Sequence, residues 1–214
     1  MLEATGNDIG VVTATMHARY MQMVITGDPG HAGATPMERR RDALAGAAEI
    51  ILANERIARE AEPAGRGSAS WIESFPNARG NVADRVQLHS DVRHTDPAEA
   101  RQMEHRMRSA IAEIVLRRRL DVKIDPYATF GPVVFDVGLG EVLRRKARER
   151  QFAVTDAVAA AGHDSVFIAP LCPSAMLFIP CLRGITHNPK ESVTPEQVAR
   201  GAQVLLDAVL EVAA

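Results

Sequence analysis

Three glycines and two prolines surround one histidine in the run Gly27-Asp28-Pro29-Gly30-His31-Ala32-Gly33-Ala34-Thr35-Pro36-Met37. Such a run forces a sharp, well-defined loop, because glycine admits positive φ and proline fixes its own φ. The spacing predicts Thr35 as a helix N-cap, with Pro36 at the first helical position and Glu38 close behind. His31 would then be held by stiff neighbours beside the positive end of a helix dipole, a setting in which an imidazole can act. The same residues also read as a plain strand-to-helix connection with an exposed polar histidine. Two more histidines fall in loop-forming stretches, His163 in Ala161-Gly162-His163-Asp164 and His187 in Gly184-Ile185-Thr186-His187-Asn188-Pro189-Lys190-Glu191. Taken alone, each of these also reads as a structural loop residue.

The elements that must position these groups follow from periodicity. Ile9 to Thr26 is rich in β-branched residues and methionine, with Val12, Ala14, Met16, Ala18 and Tyr20 on one face of a two-residue repeat, which predicts a long strand leading into the His31 loop. Met37 to about Glu60 is expected to be helix, with Arg39, Arg40 and Arg41 forming a solvated basic face near its start. Ser68 to Phe75 predicts a strand carrying the only tryptophan, Trp71, and Arg85 to Arg93 a half-buried one. Met103, Met107, Ile111 and Ile114 fall at helical spacing in a segment beginning near Pro97, and Asp121 to Tyr127 returns to strand character. Strand, helix, strand, strand, helix, strand is the split β-α-β order, here an antiparallel four-stranded sheet with both helices on one face. After Phe130-Gly131-Pro132 come a basic helix over Gly138 to Arg150, an apolar strand over Ala175 to Cys181 and a last helix from about Pro195. That second part is too small to stabilise a sheet alone.

Composition excludes several classes. A net charge of −2 and 4% aromatic residues argue against a nucleic-acid binder. The apolar runs are short and interrupted by proline, so no bilayer-spanning segment is expected, and the first residues lack a secretory pattern. Two cysteines, Cys172 and Cys181, offer neither a disulfide framework nor a CxxC metal motif. Cytoplasmic residence is the default expectation.

Taken together, five stretches resemble the metal-dependent amidohydrolases that include N-carbamoyl-L-amino acid hydrolase, allantoate amidohydrolase and β-ureidopropionase, within the aminoacylase and carboxypeptidase superfamily. They are Ile9-Gly10-Val11-Val12-Thr13; Gly30 to Met37 with Arg40, Asp42, Ala43 and Leu44; Pro76-Asn77-Ala78 and Asn81-Val82 with Asp91-Val92-Arg93; Ala161 to Asp164; and Gly184 to Glu191. The resemblance implies an α+β chain: a remnant of the catalytic domain over 1–10, a lid or dimerisation domain over 11–130, and the C-terminal piece of a di-metal α/β catalytic domain over 131–214. It also implies that the family's N-terminal half, with most metal ligands and the general base, lies outside this sequence.

By the same resemblance, His187 is a terminal ligand to one of two divalent metals, zinc or manganese, with Glu191 as the carboxylate beside it. His31 is a catalytic residue donating to the oxygen that becomes negative during attack, Asn81 and Arg93 bind substrate, and His163 is a further substrate contact. These lid residues would reach the active site of a partner subunit. Arg93 also reads as a strand-end ion pair with Asp91 or Asp96. The turn after Asn81 is Val82-Ala83-Asp84 where the family has Pro-Gly, so Asn77 competes with Asn81 as the site asparagine. Ala159-Ala160-Ala161 replaces a Ser-Gly-Ala and removes a hydroxyl. The implied reaction is hydrolysis of a linear amide or ureido C–N bond in a small carboxylated substrate by a homodimer, with no nucleic acid or membrane partner. A single ligand implies that this chain alone holds little or no metal and is inactive. The competing reading is a catalytically incomplete homologue that dimerises or binds substrate.

Overall fold

The computed structural model describes residues 2–130 and 133–213. In chain order its first elements are β1 (Ile9–Thr15), β2 (His17–Thr26), β3 (Gly30–His31), α1 (Ala43–Glu60), β4 (Arg66–Phe75) and β5 (Asn81–Val82). Then come β6 (Arg85–His94), α2 (Pro97–Arg118), β7 (Asp121–Phe130), α3 (Val137–Glu149), β8 (Val154–Ala159), α4 (Ser165–Ile168), β9 (Met176–Phe178) and α5 (Pro195–Val212). Two compact units result: one runs from His17 through Phe130, the other holds the described residues up to Met16 and from Val133 onward.

The long strand expected over Ile9 to Thr26 is therefore two strands that belong to different units. β1 lies between β8, which runs parallel to it, and β9, which runs antiparallel. β2 lies between β6 and β7 in the other unit. Residues 11–16 thus belong with the first and last parts of the chain, and the expected boundary near residue 11 falls after Met16. Part of the expected punctuation at Phe130-Gly131-Pro132 lies outside the described residues.

The His17–Phe130 unit has the expected split β-α-β plan, with strand order β4-β6-β2-β7 and every pairing antiparallel. Alternation drives it. Met21, Met23 and Ile25 of β2 and Val86, Leu88 and Val92 of β6 point to one face, where they pack against Ile50 and Ile57 of α1 and Met103, Met107 and Ile111 of α2. All of these side chains are buried. Asp96 caps α2 through the N–H groups of Ala98 and Glu99. Glu49 of α1 accepts from Arg117 and Arg118 of α2, and both bonds hold its carboxyl below the ordinary carboxylate range.

The α1 start differs from the spacing-based expectation. Thr35 and Pro36 do not begin it; Met37–Arg39 is one isolated 3₁₀ turn without a side-chain cap. The helix begins at Ala43, capped by the Asp42 carboxylate, which accepts from the N–H groups of Leu44 and Ala45. No long helix dipole therefore begins at the His31 loop. Nor do Gly27, Gly30 and Gly33 adopt positive φ. Two of them are needed for close approach instead: a Cβ at Gly27 would collide with the Arg41 carbonyl, and one at Gly30 would crowd the Thr35 hydroxyl.

In the other unit, α3 and α5 cover one face of the three-stranded sheet through Leu143, Ala147, Val204 and Ala208, which pack with Ile9 and Val11. A capping box of Thr194 and Gln197 starts α5. Hydrogen bonds from Arg145 and then Lys146 of α3 hold the pKa of the Glu211 carboxyl of α5 down to about 2. β8 has no sequence signature, because Val154-Thr155-Asp156-Ala157-Val158-Ala159 mixes polar and small residues without a clean repeat. No helix among the described residues is long and apolar enough to cross a membrane.

His17, at the start of β2, is 8% exposed and its pKa is lowered, chiefly by burial and then by the charges of Arg19 and Arg101. The unfolded chain therefore takes up a proton at about pH 6.5, before the folded chain does, so stability falls as pH drops below that value. His17→Phe should remove this part of the acid limb. Urea titrations at about pH 7 and about pH 5.5 should show a smaller loss for the variant than for the wild type.

Candidate functional site

β3 and β5 form a two-residue antiparallel ribbon in which Gly30 faces Val82 and His31 faces Asn81. Residues directly opposite in such a pair put their side chains on one side, with Cβ atoms roughly 5 Å apart. Two of the residues singled out from sequence are thereby brought together, although fifty positions separate them in the chain. The ribbon is continued by the Ala32 N–H, which donates to the Gly80 carbonyl at 2.7 Å. Gly80 has φ +83°, a conformation that favours glycine. Asn77 lies in the turn after β4 and takes no part in this pairing.

The backbone sets the state of the His31 ring. The N–H groups of Gly33 and Ala34 donate to Nδ1 at 3.0 and 3.1 Å. A nitrogen that accepts carries no proton, so the neutral ring carries its proton on Nε2. His31 is exposed, and it presents Nε2–H as a donor. The loop's glycines and short side chains let the chain fold back closely enough for its own amides to reach the ring.

Arg40 and Arg41 brace this loop, where a solvated face was expected. Arg40 donates through Nε to the Thr35 carbonyl at 3.0 Å and through a terminal nitrogen to the Ala32 carbonyl. Arg41 binds Asp28 at 3.0 Å, Asp121 at 2.8 Å and the Arg119 carbonyl, joining the loop to the start of β7. Its guanidinium pKa is raised, first by the hydrogen bond to Asp121.

Arg93 stands in the four-stranded sheet, opposite Ala18 on β2 and Arg66 on β4. Its Nε donates to the buried Asp91 carboxylate at 2.6 Å, and its guanidinium carbon lies 5.5 Å from the centre of the Tyr20 ring. That hydrogen bond is the largest cause raising the Arg93 pKa. Of the two aspartates considered as ion-pair partners, Asp91 is the one used, since Asp96 caps α2. Arg93 follows Arg85 by eight residues along β6, or roughly 27 Å at strand spacing, whereas Asn81 lies just before Arg85. The His31–Asn81 ribbon is thus joined by the chain to the Thr26/Arg85 end of the four-stranded sheet, while Arg93 stands toward its opposite end.

His163 and His187 belong to the other unit. His163 follows β8, and its ring centre lies 5.6 Å from that of Phe178. Asp164 makes no side-chain capping bond to α4. His187 is exposed with φ +54°, and its backbone N–H donates to Glu191 Oε2 at 2.9 Å. Glu191 thus meets the backbone of His187, where a contact to its imidazole was expected. Among the described residues no group of three histidines, cysteines or acids is placed to hold a metal ion. The donor set of this chain does not by itself fit a two-metal centre, which needs several ligands and bridging oxygens.

Fold and site together define a class: residues 3–211 match the family described as Peptidase family M20/M25/M40, and the chain belongs to it. Within that class, it is 33% identical over 213 residues to an N-carbamoyl-L-amino-acid amidohydrolase of Rhizobium meliloti, covering 100% of this chain and 51% of that protein. It is 32% identical to an allantoate amidohydrolase of Bacillus subtilis (strain 168), covering 99% of this chain and 52% of the other. The crystal structure of an amidase of the hydantoinase/carbamoylase family from Burkholderia vietnamiensis matches with a TM-score of 0.96 at 36% identity, over 99% of this chain and 51% of that one. The chain spans about half the length of these curated relatives.

Asp91 is 3% exposed and accepts a charged donor. Asp91→Asn should weaken that bond and destabilise the His17–Phe130 unit by about 1.5–3 kcal/mol, the range for hydrogen bonds to charged groups. Urea denaturation checks this, and a change below about 0.5 kcal/mol would mean that solvent replaces the bond without loss.

Proposed function

We propose that this chain is the C-terminal half-fold, lid included, of a metal-dependent amidohydrolase of the carbamoylase or allantoate amidohydrolase type. Its reaction is hydrolysis of a linear amide or ureido C–N bond in a small carboxylated substrate. The observation that carries the reading is the His31–Asn81 pair with His31 held as the Nε2–H tautomer. A donor fixed by backbone amides suits an oxygen that gains negative charge as a carbonyl is attacked. Asn81 can hydrogen-bond an amide or carboxylate oxygen beside it. Arg93, with its plane set by Asp91, suits a substrate carboxylate. His163 is assigned as a further substrate contact and His187 as one metal ligand. Two divalent ions, zinc or manganese, belong to this reading, with most of their ligands and the general base outside this chain.

β6 carries the chain roughly 27 Å from Arg85, four residues after Asn81, to Arg93, which exceeds the span of a small substrate. The two ends of one lid therefore serve different active sites, an arrangement that a homodimer provides. β4 is an edge strand ten residues long, with Trp71 and Ile72 exposed, and a free edge of that kind pairs readily with its twin. The exposed row Leu205, Leu206, Val209 and Leu210 on α5 supports packing against further polypeptide, as in a protein of the relatives' length. Two cysteines without a disulfide support a reducing, cytoplasmic setting. A second reading, a dimerising or substrate-binding fragment without catalysis, is favoured for the chain on its own by its poor donor set.

Joining the complementary half of the Rhizobium meliloti relative to this chain in one polypeptide tests the enzymatic reading. With zinc or manganese the hybrid should hydrolyse N-carbamoyl amino acids or allantoate, and His31→Ala should lower kcat by about 10²–10³-fold. A folded, metal-loaded hybrid without hydrolysis would sink it and leave the second reading. Dimerisation is checked separately by sedimentation velocity at micromolar concentration. The wild-type chain should sediment as a dimer and Ile72→Lys as a monomer; a monomeric wild type removes the dimer from the reading.

A further inference from the structure

We propose that Arg40 is the positioning residue for His31, acting through the loop peptides that set the ring's tautomer. The inference rests on the reading of His31 as a hydrogen-bond donor and adds the device that keeps it one. The carbonyl of Ala32 and the N–H of Gly33 belong to a single planar trans peptide group, so they point in opposite directions and turn together. Arg40 donates to that carbonyl from one side while the N–H reaches His31 Nδ1 on the other. Holding the carbonyl therefore holds the amide on the ring, and a cationic donor at the oxygen also strengthens the N–H as a donor.

The second arm of the same guanidinium closes the loop. Its Nε donates to the Thr35 carbonyl, and the Thr35 N–H in turn donates to the His31 carbonyl at 3.0 Å. Ala34, whose N–H is the second donor to Nδ1, sits between these two fixed points. Residues 31–35 are exposed or half-buried, and no hydrophobic packing is available to hold two amides on one nitrogen. Arg40 supplies that rigidity with a planar fork, whereas a lysine ammonium has no second fixed arm for the other carbonyl. Without the fork the 32–33 peptide can rotate, Nδ1 loses its donors, and the proton is free to sit on either nitrogen.

The test uses the full chain and needs no activity. Long-range ¹H–¹⁵N spectra, recorded at about pH 8.5 where imidazoles are neutral, should show His31 in the wild type with distinct shifts for an unprotonated Nδ1 and a protonated Nε2. In Arg40→Ala the two shifts should converge as the tautomers mix, with amide signals of β2 and β6 unchanged. Arg40→Lys should give an intermediate shift, and it serves as the test if the alanine variant does not fold. Unchanged His31 shifts in a folded variant would overturn the proposal. The outcome is independent of catalysis: loss of hydrolysis in the His31→Ala hybrid can stand or fall whatever the tautomer does in Arg40→Ala.

Discussion

β2 is hydrogen-bonded along its length on both sides, by β6 and by β7, and the rest of its unit depends on that constraint. A strand paired on both edges has no freedom to slip by one residue, because a slip would expose Met21, Met23 and Ile25 together and bury their polar neighbours. The buried face then dictates where α1 and α2 must lie. The opposite face carries Tyr20 and, across the register, Asp91 and Arg93. The end of β2 at Thr26 delivers the chain into the His31 loop at a defined place. Only Met16 stands in the chain between the end of β1 and the beginning of β2, the strands of the two units.

The two ends of this sheet are built differently. At the Arg93 end the polar groups are anchored to a buried carboxylate and a strand, so their positions follow from the sheet itself. Asn54 of α1 adds a bond from its amide to the Asp91 carbonyl at 3.2 Å. At the His31 end residues 31–35 are exposed or half-buried, and of the ribbon only Val82 is buried. Order in the loop itself comes chiefly from hydrogen bonds: a two-residue ribbon, two amides on one ring nitrogen, and two arginines on loop carbonyls and carboxylates. Exposed hydrogen bonds taken singly contribute little, and their effect here comes from geometry, because each fixes a peptide plane that another one needs.

Much of this was legible in the sequence. The four sheet strands and two helices of the His17–Phe130 unit and their order follow from apolar spacing, since a half-buried surface imposes a period that residue types record. The candidate residues were also legible, because histidine, asparagine and arginine next to glycine and proline stand out in loops. What misled was local chemistry near α1. Thr35-Pro36 has the form of a helix start, yet Asp42 six residues later caps the helix, and two of the three arginines between them, Arg40 and Arg41, turn onto backbone carbonyls. The strand run over Ile9 to Thr26 showed no break because both halves are buried and β-branched, and periodicity does not report which sheet a strand joins.

The sequence by itself determined the class of fold, the family, and which side chains are chemically able to serve a site. Only the tertiary structure decided which of them meet. The pairing of His31 with Asn81 involves two residues on each strand, too few for any repeat to register, and its partners come from distant parts of the chain. The separation of Arg93 from that pair follows from the length and direction of β6. The proton on His31 Nε2 depends on two amides folding back on their own loop. Hydrogen-bond direction and distance between elements are properties of the folded chain, and residue type and spacing do not encode them in a form that can be read along the sequence.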